Sequence, residues 1–134
     1  MARTRQDVTD TELAILQVLW ERGPATRRQI ADVLYPAGDA VHYATVQKLL
    51  ERLEAKGHVR RARAEGVLTF AAALNREELI SRRLLDMADK LCGGSLTPLL
   101  MNLVRAKPLT ARELEDLRAL VEELRRQAPR GKHR

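Results

Sequence analysis

YATVQKLLERLEAKGHVRRARAEGVLTF, Tyr43 to Phe70, decides how the chain folds: Val46, Leu49, Leu50 and Leu53 fall at i, i+3, i+4, i+7, the spacing of one buried helical stripe. At about 100° per residue, Ala44, Lys48, Glu51 and Ala55 then point the other way, with Thr45, Gln47 and Arg52 on the flanks. Gly57 stands where a helix end calls for positive φ without a Cβ clash. Beyond it Val59, Val67 and Phe70 bracket the polar run Arg60, Arg61 and Arg63, and a hairpin turns at Ala64, Glu65 and Gly66. Lys56, Arg60, Arg61 and Arg63 place four cations in eight residues with no acid among them. A helix seated in a DNA groove would leave such a run close to phosphates; a solvated edge hairpin is the plainer alternative.

Outward from this stretch, one helix-start device recurs. Val8-Thr9-Glu12-Leu13, Ala25-Thr26-Gln29-Ile30, Leu74-Asn75-Glu78-Leu79 and Leu109-Thr110-Glu113-Leu114 each join a capping box to a hydrophobic staple. They predict helix starts at about residues 10, 27, 76 and 111. The helix through Tyr43 starts near His42, after a loop through Gly38 and Asp39. Helix 1 is expected to bury Leu13, Leu16, Leu19 and Trp20 before Gly23 and Pro24 stop it; helix 2 buries Ile30 and Leu34 before Pro36 does. Three helices and a hairpin make a complete winged-helix unit over residues 1–75, with helices 2 and 3 as the helix-turn-helix pair.

After Asn75 the pattern is helical only, at about 76–92, 96–106 and 111–127, with breaks at Gly93-Gly94 and Pro108. The fold class is therefore mainly α with one small β-hairpin. Residues 76–127 are rich in apolar side chains, yet roughly 50 residues bury too little surface to stand alone. A second copy is the expected partner, since two-fold DNA half-sites are matched by two-fold protein symmetry. The residues expected at that contact are Leu79, Leu84, Met87, Leu91, Leu99, Leu103, Leu117, Val121 and Leu124. A basic tail, residues 128–134 and chiefly Pro129 to Arg134, is expected to be disordered.

Composition narrows the function. The 134 residues are 45% apolar and 31% charged, as in a soluble globular chain, and no apolar run reaches the roughly 20 residues of a membrane span. Arg3, Arg5, Asp7 and Asp10 leave no hydrophobic core for a signal peptide. The single cysteine, Cys92, suits a reducing cytoplasm and reads as a small apolar residue. Net charge is +6, in keeping with a polyanionic partner. Residues 1–75 carry 11 basic and 9 acidic side chains and residues 76–134 carry 13 and 9, so the charge that matters is local, as in the hairpin, and not a global excess. His42, His58 and His133 have no ligand-type neighbours at metal spacings, and no glycine loop reads as a phosphate cradle. Acid pairs such as Glu77-Glu78 and Glu122-Glu123 are explained by helix starts and solvated faces. No catalytic constellation, cofactor, small-molecule substrate or direct membrane contact is expected. With 3% aromatics, base stacking on single strands is poorly served.

The sequence resembles the penicillinase-repressor (BlaI/MecI) family of bacterial transcriptional regulators. The likeness lies in the TELAILQVLW helix, the YATVQKLLERLEAKGHV segment, the hairpin ending in phenylalanine, the KLCGGS break, and PLLMNL followed by LTARELEDLRALVEEL. It implies a homodimeric repressor whose winged helix binds a double-stranded operator with dyad symmetry and whose C-terminal helices dimerise. Thr45 and Arg52 stand where the family places a threonine and an arginine in its recognition helix. Lys48 departs from a common threonine, and can donate to guanine O6 or N7 or to a phosphate, so a different operator is expected. The DNA-binding set is thus Ala44, Thr45, Gln47, Lys48 and Arg52, with Arg60, Arg61 and Arg63 on the backbone. In resistance members a membrane zinc-protease sensor of β-lactams leads to cleavage of an Asn-Phe bond. Here the matching bond joins Asn102 to Leu103, which puts that step in question; Leu103 as dimer core and Asn102 as a solvent-facing residue is the competing reading. The paired cysteines of copper-responsive relatives are missing, which argues against thiolate copper sensing.

Two other classes stay open. A protein-interaction module on a winged-helix scaffold would expose apolar anchors where this chain has small and polar residues. A nonspecific nucleoid binder would show steep salt dependence without sequence preference.

Overall fold

A computed structural model describes residues 7–128, so the tail expected from Pro129 to Arg134 lies outside the described residues. The elements are α1 (Asp10–Arg22), α2 (Arg27–Leu34), α3 (Ala40–Ala55), β1 (Val59–Ala64), β2 (Val67–Ala72), α4 (Arg76–Cys92), α5 (Thr97–Ala106) and α6 (Ala111–Gln127). The fold is mainly α with one antiparallel hairpin. It divides into two compact units between Arg83 and Leu84. That division falls inside α4, not at the Asn75/Arg76 junction.

The capping boxes form as paired bonds. Thr9 Oγ1 accepts from the Glu12 amide (3.2 Å) while Glu12 Oε1 accepts from the Thr9 amide (3.0 Å). Thr26 with Gln29, Asn75 with Glu78 and Thr110 with Glu113 repeat the exchange. Helix α3 starts at Ala40, two residues before the expected His42. Asp39, assigned to a loop from sequence, is its N-cap: Oδ1 accepts from the Val41 amide at 3.0 Å, and His42 Nδ1 accepts from the Asp39 amide at 3.3 Å. The imidazole replaces the usual Glu or Gln of the box, which hid the cap.

At its far end α3 closes with a Schellman motif: the His58 amide donates to Leu53 O (2.9 Å) and the Gly57 amide to Glu54 O (3.0 Å), with Gly57 at φ 82°. The hairpin follows in the register Val59↔Ala72, Arg61↔Phe70, Arg63↔Leu68 and Ala64↔Val67. Its turn is the pair Glu65 and Gly66, both at positive φ (54° and 81°), as the right-handed twist of a two-residue hairpin requires. Phe70 and Ala25 exchange two backbone bonds (2.8 and 3.0 Å), which pin β2 to the α1–α2 connection.

The core of the first unit gathers Ile15, Leu16, Ile30, Val46, Leu50 and Leu53, with Val59 and Phe70 from the hairpin. Leu13, Trp20 and Leu34 are only partly buried against it, and Ile15 and Val18 join the expected Leu16 and Leu19 at the inner positions of α1. The reason is that α1 packs against α2, α3 and β2 at once, which widens its buried arc beyond one stripe. Trp20 stays at the margin because its indole N–H donates to Leu74 O (2.9 Å). Leu79 is a correction of another kind: expected at a dimer contact, it is 7% exposed and belongs to this same core.

Glu12 does more than cap α1. Its side chain is fully buried, Oε1 lies 2.7 Å from Lys56 Nζ, and that ammonium also donates to Asp7 O at 2.7 Å. Burial works against the charged form, but the Lys56 hydrogen bond, the Thr9 amide and the charges of Lys56 and Arg52 outweigh it, holding the carboxyl below its ordinary range. A depressed folded-state value stabilises the fold above the unfolded-state pKa of about 4.3 and loses that contribution as pH falls through the folded value. At pH 7, Glu12→Gln should lower stability by about 2 to 4 kcal/mol, because Lys56 loses its counter-charge. Urea unfolding at pH 7 and pH 3 checks both points: the gap between wild type and variant must narrow at pH 3, and a constant gap contradicts the ion pair's role. Gly57→Ala should cost about 1 to 2 kcal/mol in the same assay through its left-handed backbone alone, since a Cβ there meets nothing within 4 Å.

Candidate nucleic-acid interface

With Val46, Leu49, Leu50 and Leu53 turned inward, α3 leaves Ala44, Thr45, Lys48, Glu51 and Arg52 exposed and Gln47 half-buried. Small and hydrogen-bonding side chains on an outward helix are what base-edge contact in a major groove needs. Thr45 donates its hydroxyl proton to Val41 O (3.0 Å), so its oxygen offers only lone pairs outward. Lys48 forms no ion pair among the described residues. Arg52 is 59% exposed, with Nη1 at 4.0 Å from Glu12 Oε2. Glu51 adds an acid to this face.

The hairpin carries Arg60, Arg61 and Arg63, all exposed, but they are not equivalent. Arg61 Nε sits between both oxygens of Glu54 (3.0 and 2.8 Å), and its guanidinium lies 5.7 Å from the Phe70 ring centre. Arg63 Nη1 donates to Gly66 O at 2.9 Å, bracing its own turn. Each guanidinium retains further N–H donors. Lys56, read from sequence as a fourth cation near phosphates, is instead 18% exposed and committed to Glu12. Its ammonium serves the fold.

One neighbourhood escaped the sequence reading. Arg28 stands 5.4 Å from the Tyr43 ring centre, and the Tyr35 and His42 rings lie 4.5 Å apart. With Asp32 and Asp39 they line a cavity of about 340 Å³ between α2 and the start of α3. The His42 and Val41 amides hold the exposed Asp39 carboxyl below its ordinary range. The available signal was Arg27-Arg28 directly after the Thr26 cap, where the helix dipole disfavours cations.

The sites expected outside the first unit are distributed as follows. Leu84, Met87, Leu91, Leu103, Leu117, Val121 and Leu124 are exposed and Leu99 is half-buried. Asn102 and Leu103 both lie within α5, and the Asn102 side-chain amide donates to Pro98 O at 2.8 Å. Cys92 is half-buried. Among the described residues no cluster of three His, Cys, Asp or Glu could hold a metal ion, and no helix is long and apolar enough to cross a membrane.

The chain is similar to the penicillinase repressor of Staphylococcus aureus, 19% identical over 124 residues that cover 92% of this chain and 98% of that protein. It is also similar to an uncharacterized 16.5 kDa protein of Latilactobacillus sakei, 22% identical over 90% of this chain and 82% of that protein. Among solved structures, a probable transcriptional regulator from Pseudomonas aeruginosa aligns at 28% identity and TM-score 0.46, covering 87% of this chain and 78% of that one. A MarR family protein from Bacillus stearothermophilus aligns at 21% identity and TM-score 0.46, covering 90% and 74%. The penicillinase repressor family model matches residues 8–123, and the chain belongs to that family of DNA-binding transcriptional repressors.

Proposed function

We propose that the chain represses transcription as a homodimer on an operator with dyad symmetry, each copy presenting α3 to the major groove and the β1–β2 hairpin to the backbone. The observation that carries this reading is the exposed row Ala44, Thr45, Lys48 and Arg52 on α3, held outward by a buried stripe and followed by exposed arginines. Lys48 and Arg52 are the base-edge or phosphate donors, Thr45 and Gln47 supply shorter-range polar contacts, and Ala44 permits close approach. Arg60, Arg61 and Arg63 fix register through phosphates, which carry affinity but not sequence.

Dimerisation is assigned to the second unit, where Leu84, Met87, Leu91, Leu117, Val121 and Leu124 are exposed in the single chain. An apolar set of that size on a soluble chain marks an interaction surface. Leu103, 59% exposed, suits either this contact or cleavage beside Asn102 after a membrane metalloprotease sensor responds. The second role requires α5 to open first, because a bond inside a helix is reached only through local unfolding. Cytoplasmic residence follows from operator binding.

On the DNA upstream of its own gene, with competitor DNA and two salt concentrations, the protein should form a specific complex ~10³ to 10⁷ tighter than its nonspecific one. Lys48→Ala and Arg52→Ala should each weaken it by about 1 to 3 kcal/mol. A complex that competitor removes equally well identifies a nonspecific binder, and no complex at all favours the protein-interaction module. Mass in solution at low micromolar concentration should correspond to two copies, and Val121→Asp should shift it to one. A monomeric wild type refutes the dimer.

A further inference from the structure

Glu12 has one oxygen that the fold leaves unused. Oε1 accepts from the Thr9 amide and Lys56, whereas Oε2 is buried with no hydrogen-bond partner. A buried carboxylate oxygen without a donor is costly, so such a group calls for an explanation. The cation facing it is Arg52, whose Nη1 stands 4.0 Å away. We infer that Glu12 is a positioning residue for DNA recognition: from α1 its buried Oε2, 4.0 Å from Nη1 and without a hydrogen bond of its own, draws the Arg52 guanidinium toward it by charge and leaves its donors facing outward from α3. This rests on the operator-reading role of α3 proposed above.

Three features make the arrangement work. The carboxylate cannot wander, because the capping box fixes it from α1 and Lys56 fixes it from the end of α3. Two cations share one anion, so a net positive charge remains on the side where Arg52 is exposed. Arginine has five N–H donors in a rigid plane; with Nη1 4.0 Å from Glu12 Oε2 and no hydrogen bond between them, its donors stay available for a phosphate or a guanine. A side chain drawn toward a fixed, buried charge gives up less freedom on binding than one with no counter-charge. Arg52 thereby differs from Lys48, which forms no ion pair among the described residues.

The alternative is that Glu12 serves folding only, and a double-mutant cycle on operator affinity separates the two. Wild type, Glu12→Gln, Arg52→Ala and the double variant are compared at a temperature where circular dichroism shows each folded. If Glu12 acts through Arg52, Glu12→Gln weakens binding by about tenfold, and the double variant binds no more weakly than Arg52→Ala alone. Trp20→Phe, which loosens the fold away from this pair, stays within about twofold of wild type. Should Glu12→Gln fail to fold, Glu12→Asp keeps the charge but draws it back from Arg52, and the same pattern is expected. Effects of Glu12 and Arg52 that multiply, or a Glu12 variant that binds like wild type, overturn the inference while leaving the operator reading intact. Arg52→Ala binding like wild type removes Arg52 from the operator reading and overturns the inference with it.

Discussion

Everything outward-facing on α3 depends on the burial of its inner stripe. Val46, Leu49, Leu50 and Leu53 sit in the core, each contributing about 1.5 to 3 kcal/mol relative to exposure. Rotating the helix by one residue, about 100°, would exchange apolar for polar positions in a close-packed interior. No plausible contact on the outer face repays that. The rotation of α3 is therefore set by the core, and Ala44, Thr45, Lys48 and Arg52 are outside as a consequence. Specificity can then change by substitution at those positions without disturbing the packing that presents them.

Charge is organised less simply than the net value suggests. Of the cations between residues 56 and 63, Lys56 is neutralised by Glu12, Arg61 is shared with Glu54, and Arg63 braces its turn. The two kinds of commitment differ in consequence. An ammonium bonded twice at 2.7 Å in a mostly buried position is spent on structure. A guanidinium with one nitrogen engaged is oriented but still able to donate elsewhere. Counting basic residues would overstate the phosphates neutralised in the proposed complex, and so the steepness of its salt dependence.

What could be read from sequence was what is local. Capping boxes span four residues and their partners are sequence neighbours, so Thr9, Thr26, Asn75 and Thr110 were legible; the Gly57 helix end was legible for the same reason. Asp39 was missed within that same local range because His42 supplied the reciprocal acceptor in place of a carboxylate or amide. The roles of Lys56 and of the buried Glu12 depend on α1 meeting the end of α3, and periodicity carries no information about which cation meets which acid. On α1, Leu16 and Leu19 were legible as core, but Ile15 and Val18 were not, because a helix packed on three sides has no single stripe. Arg28 and Tyr43 escaped because they come together only across the turn between α2 and α3.

Leu79 shows how the two faces of α4 are to be separated. Leu84, Met87 and Leu91 recur at i, i+3, i+7, and the residue that continues this stripe toward the N-terminus is Ile80, four before Leu84 and 45% exposed. Leu79 lies about 100° off the stripe and closes the core of the first unit. One helix thus carries an inward anchor at its start and an uncovered apolar row along its length. In α6 the exposed Leu114, Leu117, Val121 and Leu124 alternate steps of three and four, the spacing of a seam between helices. Helices bearing such rows in a single chain leave apolar surface in water that a partner helix would remove, and a two-fold partner removes it from both copies at once. In the proposed dimer, the pairing that brings two copies of α3 to one duplex would also cover these rows, and the stability of the second unit and DNA recognition by the first would then be a single requirement.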